Sequence, residues 1–168
     1  MASRRQLFVA LAGALSAAPV VAWFAGSSPE AVPSTNFPVQ QSDDEWKRRL
    51  TAQQYRVLRG HATERPFSSP LNDEKRRGTF VCAGCGNPLF ASHTKYDSGT
   101  GWPSFWEPLQ GAIGTSVDRS LLMVRTEVHC ARCGGHLGHV FDDGPEPSGL
   151  RYCMNGVAMK FIPQEEAP

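Results

Sequence analysis

The pattern of hydrophobic and polar positions predicts two short helices after residue 41. Ser42-Asp43-Asp44-Glu45 is a capping box, in which the serine accepts from a backbone N–H three residues on and the glutamate reaches back. Thr51-Ala52-Gln53-Gln54 repeats this pattern ahead of a short apolar stripe. We therefore expect one helix through Leu50 and a second that ends at Gly60, both covering a sheet.

The helical pattern disappears after Pro66 and Pro70, and short β-type runs separated by glycine and proline replace it. These runs cover residues 79–81, 89–91, 112–117, 121–128, 139–141, 150–154 and 157–162. The pattern therefore predicts a mainly β domain with antiparallel strands and two N-terminal helices.

The N-terminal residues have the pattern of an export signal. Ser3-Arg4-Arg5-Gln6-Leu7-Phe8 is similar to a twin-arginine signal, and an uncharged, mostly apolar run of 19 residues extends from position 7 to 25. That length exceeds the usual hydrophobic region of a signal and just suffices to span a bilayer. We expect residues 1–27 to be a signal or an uncleaved membrane anchor, and the protein to be periplasmic. A disordered segment or a buried helix is the alternative.

Residues 28–41 are rich in proline, serine and glutamine, which predicts a flexible tether, and residues 42–168 are expected to form one domain. The formal net charge is +1. Removal of residues 1–27 would take away Arg4 and Arg5 and leave 15 basic against 16 acidic side chains, a net charge of −1. This balance argues against nucleic acid as a partner, because a phosphate backbone requires a basic face.

Four of the five cysteines form two Cys-x-x-Cys pairs flanked by glycine. Cys82 and Cys85 are one pair, and Cys130 and Cys133 are the other. Four thiolates suit tetrahedral Zn²⁺, and a complete Cys₄ shell leaves no open position, so we expect one structural zinc ion.

Other interpretations of these cysteines remain open. In an oxidising compartment paired cysteines commonly form disulfides, and Cys-x-x-Cys is also a redox motif. His136 is an alternative ligand for a mixed Cys/His site, because it follows Cys133 by three residues. Export of an already folded, zinc-loaded protein would reconcile zinc with a periplasmic location.

Cys153 is left as a free thiol in the stretch Arg151-Tyr152-Cys153-Met154-Asn155. On a strand, Arg151, Cys153 and Asn155 would share one face. A nearby guanidinium favours the nucleophilic thiolate, so this pattern indicates a reactive cysteine. A small buried hydrophobic residue is the alternative.

Two further clusters are candidates to meet that thiol. His136-Leu137-Gly138-His139-Val140-Phe141-Asp142-Asp143-Gly144 supplies imidazoles that titrate near neutral pH, with carboxylates to orient them. The glycine-rich loop at residues 97–106 carries Trp102, Phe105 and Trp106, which would form a wall for an apolar group. Core packing is the alternative for each of these residues taken alone.

Together these stretches resemble the methionine-R-sulfoxide reductases of the B type, from about residue 55 to 163. The resemblance includes His61-Ala62-Thr63-Glu64-Arg65-Pro66-Phe67, Gly101-Trp102-Pro103-Ser104-Phe105 and the histidine and Cys153 stretches quoted above. It implies coiled antiparallel sheets in a two-sheet fold, structural zinc on the four paired cysteines, and Cys153 as the nucleophile.

The resemblance also implies a mechanism. The Cys153 thiolate attacks the sulfoxide sulfur, methionine leaves, and a sulfenic acid remains. His139, assisted by His136, would protonate or hydrogen-bond the sulfoxide oxygen, and Trp102 would hold the ε-methyl group. Arg151 and Asn155 would orient the site, and Asp143 would position a histidine or Arg151.

This chain has Thr100 in the loop where many relatives carry a resolving cysteine. We therefore expect a one-cysteine cycle, with a thioredoxin-like or glutaredoxin-like thiol as the external reductant, oxidised proteins as substrates, and a monomeric enzyme. Two other classes remain: a non-catalytic zinc-knuckle binding module, which leaves Cys153 without a role, and a thiol–disulfide exchanger that uses its Cys-x-x-Cys pairs.

Overall fold

The computed structural model describes residues 36–165 of the chain. The predicted signal at residues 1–27 and the first part of the predicted tether lie outside the described residues. Within the described part, no helix has both the length and the apolar character needed to cross a membrane.

The two predicted helices are present and begin where the sequence indicated. Helix α1 spans Asp43–Arg49 and helix α2 spans Ala52–Leu58, and both capping boxes are fully formed. Trp46, Val57 and Leu58 are buried against the rest of the domain. The helices therefore cover one side of the β structure, as predicted.

Nine strands form two antiparallel sheets in the described part of the chain, which confirms the mainly β fold. They are β1 (Gly78–Cys82), β2 (Pro88–Ala91), β3 (Lys95–Tyr96), β4 (Ser104–Phe105), β5 (Ile113–Asp118), β6 (Arg125–Cys130), β7 (His136–Phe141), β8 (Arg151–Met154) and β9 (Met159–Pro163). The smaller sheet has the order β2-β1-β9, and the larger has the order β3-β4-β8-β7-β6-β5. Strand β8 therefore lies in the interior of the larger sheet, with β4 and β7 on its two sides.

Some strand bounds differ from the prediction for local reasons. The predicted run 121–128 begins too early, because Ser120–Leu122 form a 3-10 turn at the tip of the β5–β6 hairpin. Strand β9 likewise begins after a 3-10 turn at Gly156–Ala158. Strands β3 and β4 were not predicted, since two residues are too few to show an alternating pattern.

Phenylalanine side chains form the centre of the core. The ring of Phe105 stacks on Phe90 with centroids 4.3 Å apart and meets Phe80 edge-on at 4.9 Å. None of these three side chains has exposed surface. Leu89, Leu137 and Met154 are also fully buried.

The last residues of the predicted tether contact the domain. The Val39 amide donates a hydrogen bond to the Arg132 carbonyl at 2.8 Å. The Phe37 ring packs edge-on against His129, with centroids 5.6 Å apart. Contacts with the domain thus begin before the predicted boundary at Ser42.

Candidate active site and zinc centre

The two Cys-x-x-Cys pairs fold into equivalent turns. The Gly86 amide donates to the Cys82 carbonyl at 2.8 Å, and the Gly134 amide donates to the Cys130 carbonyl at 2.9 Å. Gly86 and Gly134 have φ angles of 71° and 66°, a left-handed conformation that favours glycine. Each turn thereby points two thiols in one direction.

The four thiols meet in one cluster whose dimensions fit zinc. The Sγ atoms of Cys82 and Cys133 are 3.7 Å apart, and those of Cys85 and Cys130 are 3.6 Å apart. Tetrahedral zinc with Zn–S bonds of about 2.3 Å separates its sulfur ligands by about 3.8 Å, whereas a disulfide would need about 2.05 Å. The four residues therefore form a Cys₄ site compatible with structural zinc, as predicted.

This zinc centre links the two sheets. Cys82 ends β1 of the smaller sheet, and Cys130 ends β6 of the larger one. The second cysteine of each pair lies in the turn that follows its strand. His136, considered as an alternative ligand, hydrogen-bonds to Glu127 instead. The centre thus fixes the relative position of two elements that are distant in sequence.

Cys153 lies on the interior strand β8 between two polar neighbours. His139 of β7 is its register partner on one side, and Ser104 of β4 is its partner on the other. Gly138 allows β7 and β8 to approach closely, because an added Cβ there would lie 2.1 Å from the Cys153 carbonyl oxygen. The thiol, an imidazole and a hydroxyl are thus brought to neighbouring positions across three strands.

A cavity of about 150 Å³ opens beside Cys153. Several of the residues singled out from the sequence line it, together with others that were not. The lining residues are Thr63, Trp102, Arg125, Gly138, His139, Phe141, Cys153 and Asn155. Its size suits one side chain of a larger molecule.

Burial raises the pKa of the Cys153 thiol, because desolvation disfavours the thiolate. The Thr100 hydroxyl and the Arg151 guanidinium oppose this effect and lower the pKa. Thr100 Oγ1 lies 3.8 Å from Cys153 Sγ. The cavity therefore holds a thiol whose ionisation depends on its polar neighbours.

Asp118, which the sequence did not single out, holds His139. Asp118 Oδ2 lies 2.8 Å from His139 Nε2 and accepts from Arg125 at 2.7 Å. Burial lowers the pKa of His139, and the bond to Asp118 opposes that shift. Because a carboxylate can only accept, His139 Nε2 carries a proton and the other ring nitrogen remains for a ligand.

His136 lies behind His139 and does not line the cavity beside Cys153. Its Nδ1 is 2.7 Å from Glu127 Oε1, and the same oxygen is 2.9 Å from His61 Nδ1. The pair with His136 lowers the pKa of Glu127 to about 2. These three residues are close enough to hold a metal ion, but two N–H···O bonds already account for their geometry.

Asp143 pairs with Arg151 and not with a histidine. Its two oxygens accept from the Arg151 guanidinium at 2.8 Å each. This bidentate pair lowers the pKa of Asp143 and fixes the guanidinium, whose Cζ atom lies over the Phe141 ring, 4.4 Å from its centre. Of the two partners predicted for Asp143, the structure supports Arg151.

Asn155 and Trp102 are joined through Glu64. The Asn155 side chain donates to the Leu137 carbonyl at 3.1 Å and accepts from the Glu64 amide at 2.9 Å. The Trp102 indole N–H donates to the Glu64 carbonyl at 3.2 Å. Asn155 is buried at 3% exposure, so it fixes the segment against which Trp102 rests.

Phe105 requires a correction. It was expected to help form an apolar wall for a ligand, but its ring has no exposed surface and packs in the core. The alternation along β4 turns Ser104 toward the Cys153 side and Phe105 to the opposite face. Trp102 alone of these two aromatic residues lines the cavity.

Comparison with known proteins identifies the family of this chain. The SelR domain family matches residues 50–163. A peptide methionine sulfoxide reductase MsrB from Hahella chejuensis is 55% identical over 124 residues, covering 73% of this chain and 89% of that protein. An MsrB from Leptospira interrogans is 53% identical, covering 75% and 97%, and one from Bradyrhizobium diazoefficiens is 54% identical, covering 78% and 95%.

The family match spans helix α2, both sheets, the four cysteines of the zinc centre and the Cys153 cavity. The chain therefore belongs to the peptide methionine sulfoxide reductase MsrB family, within the SelR domain proteins.

Proposed function

We propose that this protein reduces methionine-R-sulfoxide, mainly in oxidised proteins, to methionine. The observation that carries the proposal is the cavity in which the thiol of Cys153 lies opposite His139 and beside Trp102. A thiol supplies the electrons, an imidazole supplies or orients a proton, and an indole supplies an apolar surface for the methyl group.

The proposed reaction transfers one oxygen atom and two electrons. The Cys153 thiolate attacks the sulfoxide sulfur, and His139 stabilises and protonates the sulfoxide oxygen. The sulfur–oxygen bond of the substrate breaks, the oxygen passes to Cys153, and methionine leaves. The substrate sulfur is reduced by two electrons and the cysteine is oxidised to a sulfenic acid.

The sulfenic acid is reduced by an external thiol in the proposed one-cysteine cycle. A first thiol forms a mixed disulfide with Cys153 and releases water. A second thiol, as in a thioredoxin-like or glutaredoxin-like protein, then restores the cysteine and leaves as a disulfide. In support, the other four cysteines form the zinc cluster, and Thr100 occupies the loop beside Cys153.

An epimer-resolved assay on dabsylated methionine sulfoxide tests the activity. The R epimer should be consumed with dithiothreitol as the reductant, and the S epimer should remain. Consumption of the S epimer alone, or of neither epimer, would contradict the proposal. Mass spectrometry after one turnover without reductant should show a single added oxygen on Cys153, whereas an internal disulfide would contradict the one-cysteine cycle.

Asp118→Asn is expected to lower kcat/KM by about tenfold to a hundredfold, because general acid–base catalysis of this kind contributes about 10² to 10⁴. Asp118 raises the pKa of His139, so its loss should move the His139 limb of the pH–rate profile to lower pH. Titration of the histidine ring protons by NMR measures the same shift directly.

Asp143→Asn is the matched control, since Asp143 contacts Arg151 and no histidine. The pKa of His139 in this variant should equal that in the unaltered protein, even if turnover changes. Equal movement of the His139 limb in both variants would show that Asp118 has no special role in positioning this imidazole.

We further propose that the enzyme works outside the cytoplasm. Arg4, Arg5 and the apolar run at residues 7–25 support export through a pathway for folded proteins. Fractionation should find zinc-loaded enzyme in the periplasm or at the outer side of the inner membrane. Replacement of Arg4 and Arg5 by lysine should retain it in the cytoplasm.

A further inference from the structure

Three hydroxyl groups connect Cys153 to the backbone of the tryptophan loop. Thr100 Oγ1 is 3.8 Å from Cys153 Sγ, which is within hydrogen-bond distance for sulfur. Ser98 Oγ lies 2.8 Å from Thr100 Oγ1 and 2.7 Å from Ser104 Oγ. Ser104 Oγ in turn lies 3.2 Å from the Trp102 carbonyl oxygen. The contacts form a path that begins at the thiol and ends at a backbone acceptor, and the Thr100 amide also donates to Ser98 Oγ at 3.5 Å.

Each hydroxyl in this path donates one hydrogen bond and can accept another. The hydrogen bonds along the path can therefore point in either of two directions. With a thiol at Cys153, the S–H donates to Thr100, Thr100 to Ser98, Ser98 to Ser104, and Ser104 to the Trp102 carbonyl. With a thiolate, the hydroxyls rotate, and Ser104 donates to Ser98, Ser98 to Thr100, and Thr100 to the sulfur. The thiol proton itself leaves to solvent.

The hydroxyl groups of this path already lie beside the sulfur, so they can hydrogen-bond to it without a change in the backbone. Ser104 is fully buried and is the register partner of Cys153 on β4. Ser98 and Thr100 lie on the loop that leads from β3 to β4 and are partly buried. A hydrogen bond to a buried charge is stronger than one in water, because the local dielectric is low. Rotation about C–O bonds suffices to change direction, and no heavy atom has to move.

We infer that Ser104, Ser98 and Thr100 form a reversible hydroxyl chain that accepts from the Cys153 thiol and donates to its thiolate. This inference rests on the proposed function for its catalytic meaning, since it concerns the same nucleophile. It assigns Thr100 a catalytic contact with the reacting sulfur and makes Ser98 a positioning residue. Ser104 also lowers the pKa of the Cys153 thiol by a side-chain hydrogen bond, so it supports the sulfur both directly and through Ser98. Thr100 is also the largest influence that lowers the pKa of this buried thiol.

The test measures the ionisation of Cys153 by its rate of alkylation with iodoacetamide as a function of pH. In the zinc-loaded protein Cys153 is the thiol outside the metal cluster, so a single alkylation is followed. Thr100→Val keeps the shape of threonine and removes the donor. Its alkylation midpoint should rise by about one pH unit, since a hydrogen bond to a charged group contributes about that much.

Thr100→Ser is the matched control and should keep the wild-type midpoint, because it retains the hydroxyl. Ser98→Ala does not touch the sulfur and should raise the midpoint by a smaller amount, because Thr100 then loses its partner. Zinc content and circular dichroism confirm that each variant is folded.

An unchanged midpoint in Thr100→Val, or an equal rise in Thr100→Ser, would overturn the role of the hydroxyl. An unchanged midpoint in Ser98→Ala would overturn the chain beyond Thr100. Alkylation needs no sulfoxide, so these outcomes do not depend on the reductase activity. If the enzyme is active, kcat/KM of Thr100→Val at neutral pH should fall about tenfold, in proportion to the lost thiolate.

Discussion

Cys153→Ser is expected to reduce methionine sulfoxide reductase turnover by at least about a thousandfold, because the nucleophile of a covalent cycle has no substitute. A serine hydroxyl at this position cannot accept the oxygen and donate two electrons. The fold should remain intact, since serine fits the space of the thiol on β8. Single-turnover kinetics on dabsylated methionine sulfoxide measures the loss.

Zinc content and the melting temperature are the controls for Cys153→Ser. Both should match those of the unaltered protein, because Cys153 lies outside the zinc cluster. Turnover that survives this substitution would show that another group reduces the sulfoxide. It would also favour a binding role, with no chemistry, for the cavity beside Cys153.

Cys130→Ser, or removal of zinc by a chelator, is expected to unfold much of the domain. Structural zinc contributes on the order of 10 kcal/mol in small zinc domains, which is comparable with the whole free energy of unfolding of a typical protein. Cys130 is fully buried at the junction of the two sheets, so an unpaired serine there has no access to water. Zinc analysis and thermal unfolding by circular dichroism measure the effect.

The reference for Cys130→Ser is Cys153→Ser, which also removes one thiol but leaves the cluster complete. It should bind one zinc ion and unfold at the normal temperature. A zinc-free Cys130→Ser protein with an unchanged melting curve would show that strand pairing and the core hold the two sheets together without the metal.

The zinc centre could be predicted, and Cys153 could be singled out, because their sequence signals are local. Two cysteines three residues apart, with glycine beside them, define a knuckle whatever the rest of the chain does. Cys153 stands out because it is left over after the pairs are formed. The two helices could also be predicted from the sequence, because a capping box is complete within four residues.

Most of the features that the sequence did not reveal depend on strand register. Asp118 reaches His139 only because β5, β6 and β7 pair in sequence, and the two residues are 21 positions apart. Glu127 meets His136 through the pairing of β6 with β7, whereas His61 reaches Glu127 from the segment that follows helix α2. Phe105 was misplaced because β4 has only two residues, so no alternation showed which of Ser104 and Phe105 faces the core.

The interior position of β8 also restricts which molecules can complete the proposed cycle. Both edges of this strand are hydrogen-bonded, to β4 and to β7, so Cys153 cannot swing outward to meet a partner. A reducing protein must instead insert its thiol into an opening of about 150 Å³. Donors whose cysteine lies on a protruding loop or at the tip of a turn satisfy that requirement, and those with a recessed thiol do not. In the proposed cycle the sheet would therefore select redox partners by shape, independently of their reduction potential.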